Sequence, residues 1–196
     1  MPPSDTLRLL LVNDTDRPMR QLGDAFSSAG YLVVAQADGA AELLRLAESS
    51  RPDIIIVDTE SPTRDTLEQL ALMDQSAPRP VVMFAEHGGM PAIQAALRAG
   101  VTAYIVDHVA PSRLAPIIDT ARVQFEEDAR LKRKLADAER QLAERKLIER
   151  AKGILMRRRQ ISEEEAYALL RGQAMKSGMR LAELSRQLIH SSELLG

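Results

Sequence analysis

Five short runs of branched aliphatic residues, Leu7–Val12, Tyr31–Ala35, Asp53–Val57, Pro80–Phe84 and Thr102–Val106, recur along the first part of the chain. Each is followed by a stretch in which apolar residues return at helical spacing, which makes five strand-helix units. The runs are continuous rather than alternating, Ile54-Ile55-Ile56-Val57 being the clearest. A strand apolar on both faces must be covered on both, so the pattern predicts a doubly wound α/β domain on a parallel sheet. Gly30, after Ala25 and Phe26, and Gly100, after Ile93, Ala96 and Leu97, stand where a helix end turns into the left-handed conformation.

The net charge of −2 conceals an asymmetry. Residues 1–129 hold 10 Arg and no Lys against 19 Asp and Glu, a net of −9, whereas residues 130–196 hold 16 basic residues against 9 acidic ones, a net of +7. An acidic globular domain carrying a basic module is the organisation this suggests, and basic modules often meet nucleic acid. A solvated helix surface is the other reading of the same charges.

Other chemistries drop out quickly. There is no cysteine, hence no disulfide framework, thiolate zinc site or cysteine nucleophile, and His87, His108 and His190 show no metal-ligand spacing. The apolar run Leu9–Val12 near the start is too short for a signal segment or a membrane span. A cytoplasmic protein with no membrane partner is expected. An enzyme is not: Asp14, Asp58 and Asp107 could form a carboxylate cluster, but no base or nucleophile accompanies them.

In a doubly wound sheet, function collects at the carboxyl ends of the strands. Those positions are Asn13 and Asp14, Asp58, Ala85 and Asp107. On Leu11-Val12-Asn13-Asp14 and on Val57-Asp58-Thr59-Glu60-Ser61-Pro62, the domain resembles the CheY-like receiver of response regulators. The resemblance implies an acidic pair and an aspartate that hold Mg²⁺, with the latter accepting a phosphoryl group. Here Asp58 is the acceptor, one member of the pair is the amide Asn13, and Asn13, Asp14, Asp58 and the carbonyl of Glu60 form the possible Mg²⁺ site. No cofactor is required.

Two parts of that machinery are missing. Ala85 stands where a receiver has a Ser or Thr, and Asp107 where it has a Lys; no lysine precedes Lys132. A carboxylate in place of a cation reverses the electrostatic stabilisation of the phosphoryl charge, so a degenerate receiver with a weak acceptor is expected.

Between Gly100 and Gly153 there is no glycine, and beyond Pro116 no proline interrupts the chain before the basic module. One helix over about residues 117–159 would run roughly 65 Å, with Pro116 a possible kink at its start. Leu131, Leu135, Ala138 and Leu142 step by four, three and four, the spacing of a coiled-coil seam. Homodimerisation through this seam is one reading, and its packing back on the receiver is the other.

Leu147, Ile148, Ala151, Ile154 and Leu155 give the end of that helix an apolar face. Ser162-Glu163-Glu164-Glu165 is a capping box for a second helix, with Ala166, Leu169, Leu170 and Met175 as its core face and Gly178 as its stop. Leu181, Leu184 and Leu188 mark a third. Ala151–Met156, Glu164–Ala166, Leu169–Arg171 and Ala174–Lys176 together resemble the ANTAR domain of transcription antiterminators, and the whole chain is similar to ANTAR response regulators of the NasT and AmiR group. The division expected is a receiver over 1–121, a coiled-coil helical linker over 122–142 and an ANTAR domain over 135–196.

The resemblance implies binding of leader RNA with two hairpins, so that a terminator does not form and RNA polymerase, touched only indirectly, reads on. It implies control by an inhibitory sensor protein resembling a solute-binding protein, in nitrate or nitrite assimilation, rather than by phosphorylation. Lys152, Arg157, Arg158, Arg171 and Lys176 are the expected RNA contacts, with Gly153 allowing close approach or tight helix packing. A DNA-binding response regulator and a regulator acting through phosphorylated Asp58 are the alternatives. An adaptor for an acidic protein is a third.

Overall fold

The computed structural model describes residues 6–15, 20–106 and 110–194, apart from the side chains of 20–22, 111 and 194. The chain divides into two compact units, Met1–Ala129 and Arg130–Gly196.

The first unit is a parallel sheet wrapped by helices. Its strands are β1 (Arg8–Asp14), β2 (Leu32–Ala37), β3 (Ile54–Thr59), β4 (Val81–Ala85) and β5 (Ala103–Val106). They lie in the order β2-β1-β3-β4-β5, and each pairing is parallel. The helices are α1 (Arg20–Ser28), α2 (Leu43–Ser50), α3 (Arg64–Ser76), α4 (Met90–Arg98) and the start of α5 (Leu114–Arg159).

Successive residues of a strand point to opposite faces, and the continuous aliphatic runs therefore feed two cores. Leu10, Val12, Ile55, Val57, Val81 and Met83 pack with Leu43 and Ala47 of α2, Leu70 and Met73 of α3 and Ala96 of α4. Leu9, Leu11, Ile54, Ile56, Val82 and Phe84 pack with Phe26 of α1 and with Leu114, Ile118 and Ala121 of α5. All of these strand residues except Val12 and Phe84 are fully buried. Truncating one of them, as in Ile56→Ala, should cost about 2–5 kcal/mol in lost transfer energy and residual cavity. Gly100 takes φ +95°, and a Cβ there would come within 2.8 Å of the Asp74 Cβ, so both backbone and space require glycine after α4.

The second unit holds the end of α5, then α6 (Glu163–Ser177) and α7 (Leu181–Leu194). α5 is continuous from Leu114: Pro116 falls in its first turn, where a missing N–H removes no intrahelical bond. Every residue from 130 to 143 is exposed, including Leu131 (56%), Leu135 (61%) and Leu142 (55%), so among the described residues the expected seam is an exposed apolar stripe.

The capping box of α6 is present as expected. Glu165 N–H donates to Ser162 Oγ at 3.2 Å and Ser162 N–H to Glu165 Oε2 at 2.9 Å. Gly178 closes the helix in the left-handed region at φ 66°. The core face of α6 differs from expectation. Ala166, Leu170 and Ala174 are buried, whereas Leu169 and Met175 are exposed. Met175 lies five residues beyond Leu170, about 500° of helical turn, which carries it off the buried stripe. Ala151 and Ile154 of α5 and Ile189 of α7 complete this small core, with Leu147, Leu155, Leu181, Leu184 and Leu188 half-buried around it.

Candidate functional site

Two regions carry the residues singled out above, the carboxyl end of the sheet and the helical unit. At the sheet end, register places Asn13 beside Asp58, Asp14 beside Thr59, and Thr59 beside Ala85. β1 and β3 each run two residues past their apolar runs, which brings these polar side chains onto the ladder.

The oxygens of Asn13 and Asp14 are already engaged. Thr63, the N-cap of α3, accepts the amide of Thr66 at 3.1 Å, and the hydroxyls of Thr63 and Thr66 lie 2.8 Å apart. Thr66 donates its hydroxyl proton to Asp14 Oδ2. A hydroxyl has one proton to give, so the relay runs from Thr63 through Thr66 to the carboxylate. Asn13 turns onto Thr15, accepting its hydroxyl at 2.8 Å through Oδ1 and donating to its carbonyl at 3.2 Å through Nδ2. The Glu60 carbonyl accepts the His87 amide at 3.1 Å.

Three of the four groups expected to hold Mg²⁺ thus accept one hydrogen bond each; a carboxylate offers about four lone-pair sites and a carbonyl two, so each keeps a lone pair that a hard cation can use. Among the described residues no three carboxylates or imidazoles come together.

Ala85 is buried at the end of β4. Beside it, the buried hydroxyl of Thr59 has no hydrogen-bond partner. A hydroxyl at position 85 would both serve a phosphoryl oxygen and offer Thr59 a mate, and alanine does neither. Asp107 and His108 lie outside the described residues. Tyr104, which sequence reasoning passed over, donates its hydroxyl to the His87 carbonyl at 2.9 Å and so ties β5 to the loop after β4. Burial holds its phenol above the usual range.

In the helical unit the expected RNA contacts separate into two groups. Lys152 is buried, and its Nζ donates to Glu149 at 2.8 Å and Glu163 at 2.6 Å. The first carboxylate is one turn back on α5, and the second opens α6 beyond the bend, so the ammonium clamps the two helices. Its hydrogen bonds to Glu149, then to Glu163, hold its pKa above the ordinary value, and Glu163 is held below its own by the same bond. Glu165 is lowered too, by the Ser162 amide first and then its hydroxyl. Lys152 is therefore a structural cation rather than an exposed phosphate contact. Sequence showed Glu163 only as part of a cap.

Arg158 reaches the Ser192 carbonyl of α7 at 3.2 Å, beside the Arg150–Glu193 pair at 2.5 Å. Arg157, Arg171 and Lys176 are exposed and, among the described residues, have no acidic partner, and the same holds for Arg159, which was not among the expected contacts. A Cβ at Gly153 would meet only the far end of Arg157, at 3.8 Å. Among the described residues no helix packs tightly there, and glycine inside a helix costs about 1 kcal/mol relative to alanine.

Comparison with known proteins bears on both regions. Residues 9–119 match the response regulator receiver domain and residues 136–189 the ANTAR domain. The chain is 30% identical over 168 residues to the transcriptional regulatory protein PdtaR of Mycobacterium tuberculosis, covering 86% of this chain and 82% of that one. It is 39% identical over 77 residues to the nitrate regulatory protein of Klebsiella oxytoca, a stretch covering 39% of this chain and 19% of that one. Among solved structures, the signal receiver domain of a modulated diguanylate cyclase from Desulfovibrio desulfuricans superposes with a TM-score of 0.55 at 25% identity, over 63% of this chain and 99% of that one.

Proposed function

The chain belongs to the response regulators that carry an ANTAR domain, and from that premise we propose that it is an antitermination regulator which binds leader RNA folded into two hairpins. One observation supports this most. The residues matched by the ANTAR domain are those in which Arg157, Arg159, Arg171 and Lys176 stand exposed without acidic partners among the described residues. A-form RNA is met mainly through phosphates and 2′-hydroxyls, and exposed cations on rigid helices suit such contacts.

The protein is regulatory, and its likeness to enzymes runs through the receiver. Control in this reading comes from an inhibitory sensor protein resembling a solute-binding protein, not from phosphorylation. Asp107 for lysine and Ala85 for a hydroxyl residue both work against phosphotransfer. Nitrate or nitrite assimilation is the process assigned, with the name of the Klebsiella relative as support. The exposed Leu131, Leu135, Ala138 and Leu142 form the seam of a homodimer, which Leu135→Lys should convert to a monomer in sedimentation velocity.

The test is an anisotropy titration of the full chain against a two-hairpin leader RNA, the same RNA with scrambled loops, and a DNA duplex of equal length. Binding that depends on the loops is expected. Equal binding to all three would leave only a basic patch, and preference for the duplex would make this a DNA-binding regulator.

A further inference from the structure

At the end of the sheet opposite Asp58, where β3 and β4 begin, the receiver holds a cavity of about 310 Å³. Three arginines line it: Arg51 after α2, Arg79 before β4, and Arg122 on α5. This unit carries a net charge of −9 and only 10 Arg, so three on one cavity make a local reversal of sign. The size falls within the range of small-ligand sites, roughly 300–1,000 Å³.

Two of the arginines are placed in ways that a solvated side chain does not need. Arg79 donates Nε to the Pro52 carbonyl at 3.0 Å and Nη1 to the Pro78 carbonyl at 2.9 Å, which fixes the plane of its guanidinium. Arg51 is the C-cap of α2 and lies in the left-handed region at φ 47°. Glycine is the usual residue there, and any side chain is held at a cost in backbone strain. Arginine thus occupies a position that favours glycine, on the wall of the cavity.

The remaining walls are suited to a ring and its hydroxyls. Phe125, half-buried one turn beyond Arg122, offers an apolar face, and Glu126 offers a carboxylate that can accept from hydroxyl or amine groups. The other acid, Asp53, accepts the Arg8 amide at 2.8 Å and is directed to β1. Guanidinium forks match phosphate oxygens bidentately. The geometry points to a nucleotide-binding site in the receiver, with the phosphates on Arg51, Arg79 and Arg122, the base against Phe125 and the ribose hydroxyls toward Glu126.

The test is calorimetric titration of the full chain with ADP, GDP, pyrophosphate, inorganic phosphate and adenosine, in wild type and in Arg51→Gly, Arg122→Gln and Phe125→Leu. ADP or GDP should bind more tightly than pyrophosphate, phosphate or adenosine. Arg51→Gly relieves the left-handed strain, so it should melt no lower than wild type while losing about tenfold or more in nucleotide affinity, as expected for one charge-assisted contact. Arg122→Gln should lose a similar factor, and Phe125→Leu should lose the preference for nucleotide over pyrophosphate. The proposal is overturned if neither nucleotide gives heat or raises the melting temperature, if pyrophosphate or adenosine binds as well as they do, or if Arg51→Gly binds with wild-type affinity.

Discussion

At the carboxyl end of the sheet the polar groups are bonded to one another, Asp14 to Thr66, Asn13 to Thr15 and the Glu60 carbonyl to His87. On the last turn of α5 and along α6, by contrast, Arg157, Arg159, Arg171 and Lys176 have no acidic partner among the described residues. Both regions were expected to present charge to a phosphate. The contrast fits the proposed reading, in which polar side chains at the carboxyl end of the sheet bond to one another and the cations of the ANTAR unit meet RNA phosphates.

The largest effect that would sharpen this contrast is removal of those cations. Replacing Arg157, Arg159, Arg171 and Lys176 together by Gln should cost RNA affinity on the order of 10³-fold at low salt and flatten the salt dependence by roughly three in slope, with helix content by circular dichroism unchanged. An unaltered slope would show that the phosphates are held elsewhere. Next comes the receiver. Ala85→Thr with Asp107→Lys restores a hydroxyl and a cation, and should raise phosphoryl incorporation from acetyl phosphate by about 10²-fold, the usual worth of one well-placed donor. No increase would mean that the Thr66 and Thr15 bonds at Asp14 and Asn13 are the dominant block.

A smaller effect separates the two kinds of cation within the helical unit. Lys152→Met should lower the melting temperature of that unit by several degrees while leaving the salt slope of RNA binding unchanged, because the ammonium clamps α5 to α6. Loss of about 0.7 to 0.9 from the slope would make Lys152 a phosphate contact after all.

The same clamp sets a pH dependence. Glu163 and Glu165 lie below their ordinary value of 4.5, so their stabilisation is complete above 4.5 and is lost as pH falls through the lowered values. Lys152 lies above its ordinary 10.5, so its contribution is complete below 10.5 and is lost as pH rises through the raised value. Melting of the helical unit should therefore be flat between these limits and fall at both ends. Glu163→Gln should weaken the acid-side fall, because one of the two depressed carboxylates is gone.

Much of this architecture was legible in the sequence. The aliphatic runs located all five strands, since burial on both faces leaves a continuous apolar signal, and the Ser162 and Gly178 signals bounded α6 because capping is local chemistry. The strand ends were less visible: Asp14 and Thr59 belong to the ladder although their side chains carry no apolar mark, as backbone pairing does not require one. Lys152 was misplaced for a different reason. Its partner Glu163 is 11 residues away across a bend, and no periodicity reports a contact made through tertiary geometry. The Thr66–Asp14 bond, 52 residues apart in sequence, was hidden in the same way. Met175 reads as part of the core face of α6, whereas helical phase puts it on the outside.

In the proposed function, RNA binding does not pass through Asp58. The direct measurement is the affinity of the full chain and of Asp58→Asn for a two-hairpin leader RNA, each before and after incubation with acetyl phosphate and Mg²⁺. The four dissociation constants should agree within about twofold, a difference of roughly 0.4 kcal/mol. A wild-type affinity that changes about tenfold on treatment, while Asp58→Asn does not respond, would contradict it.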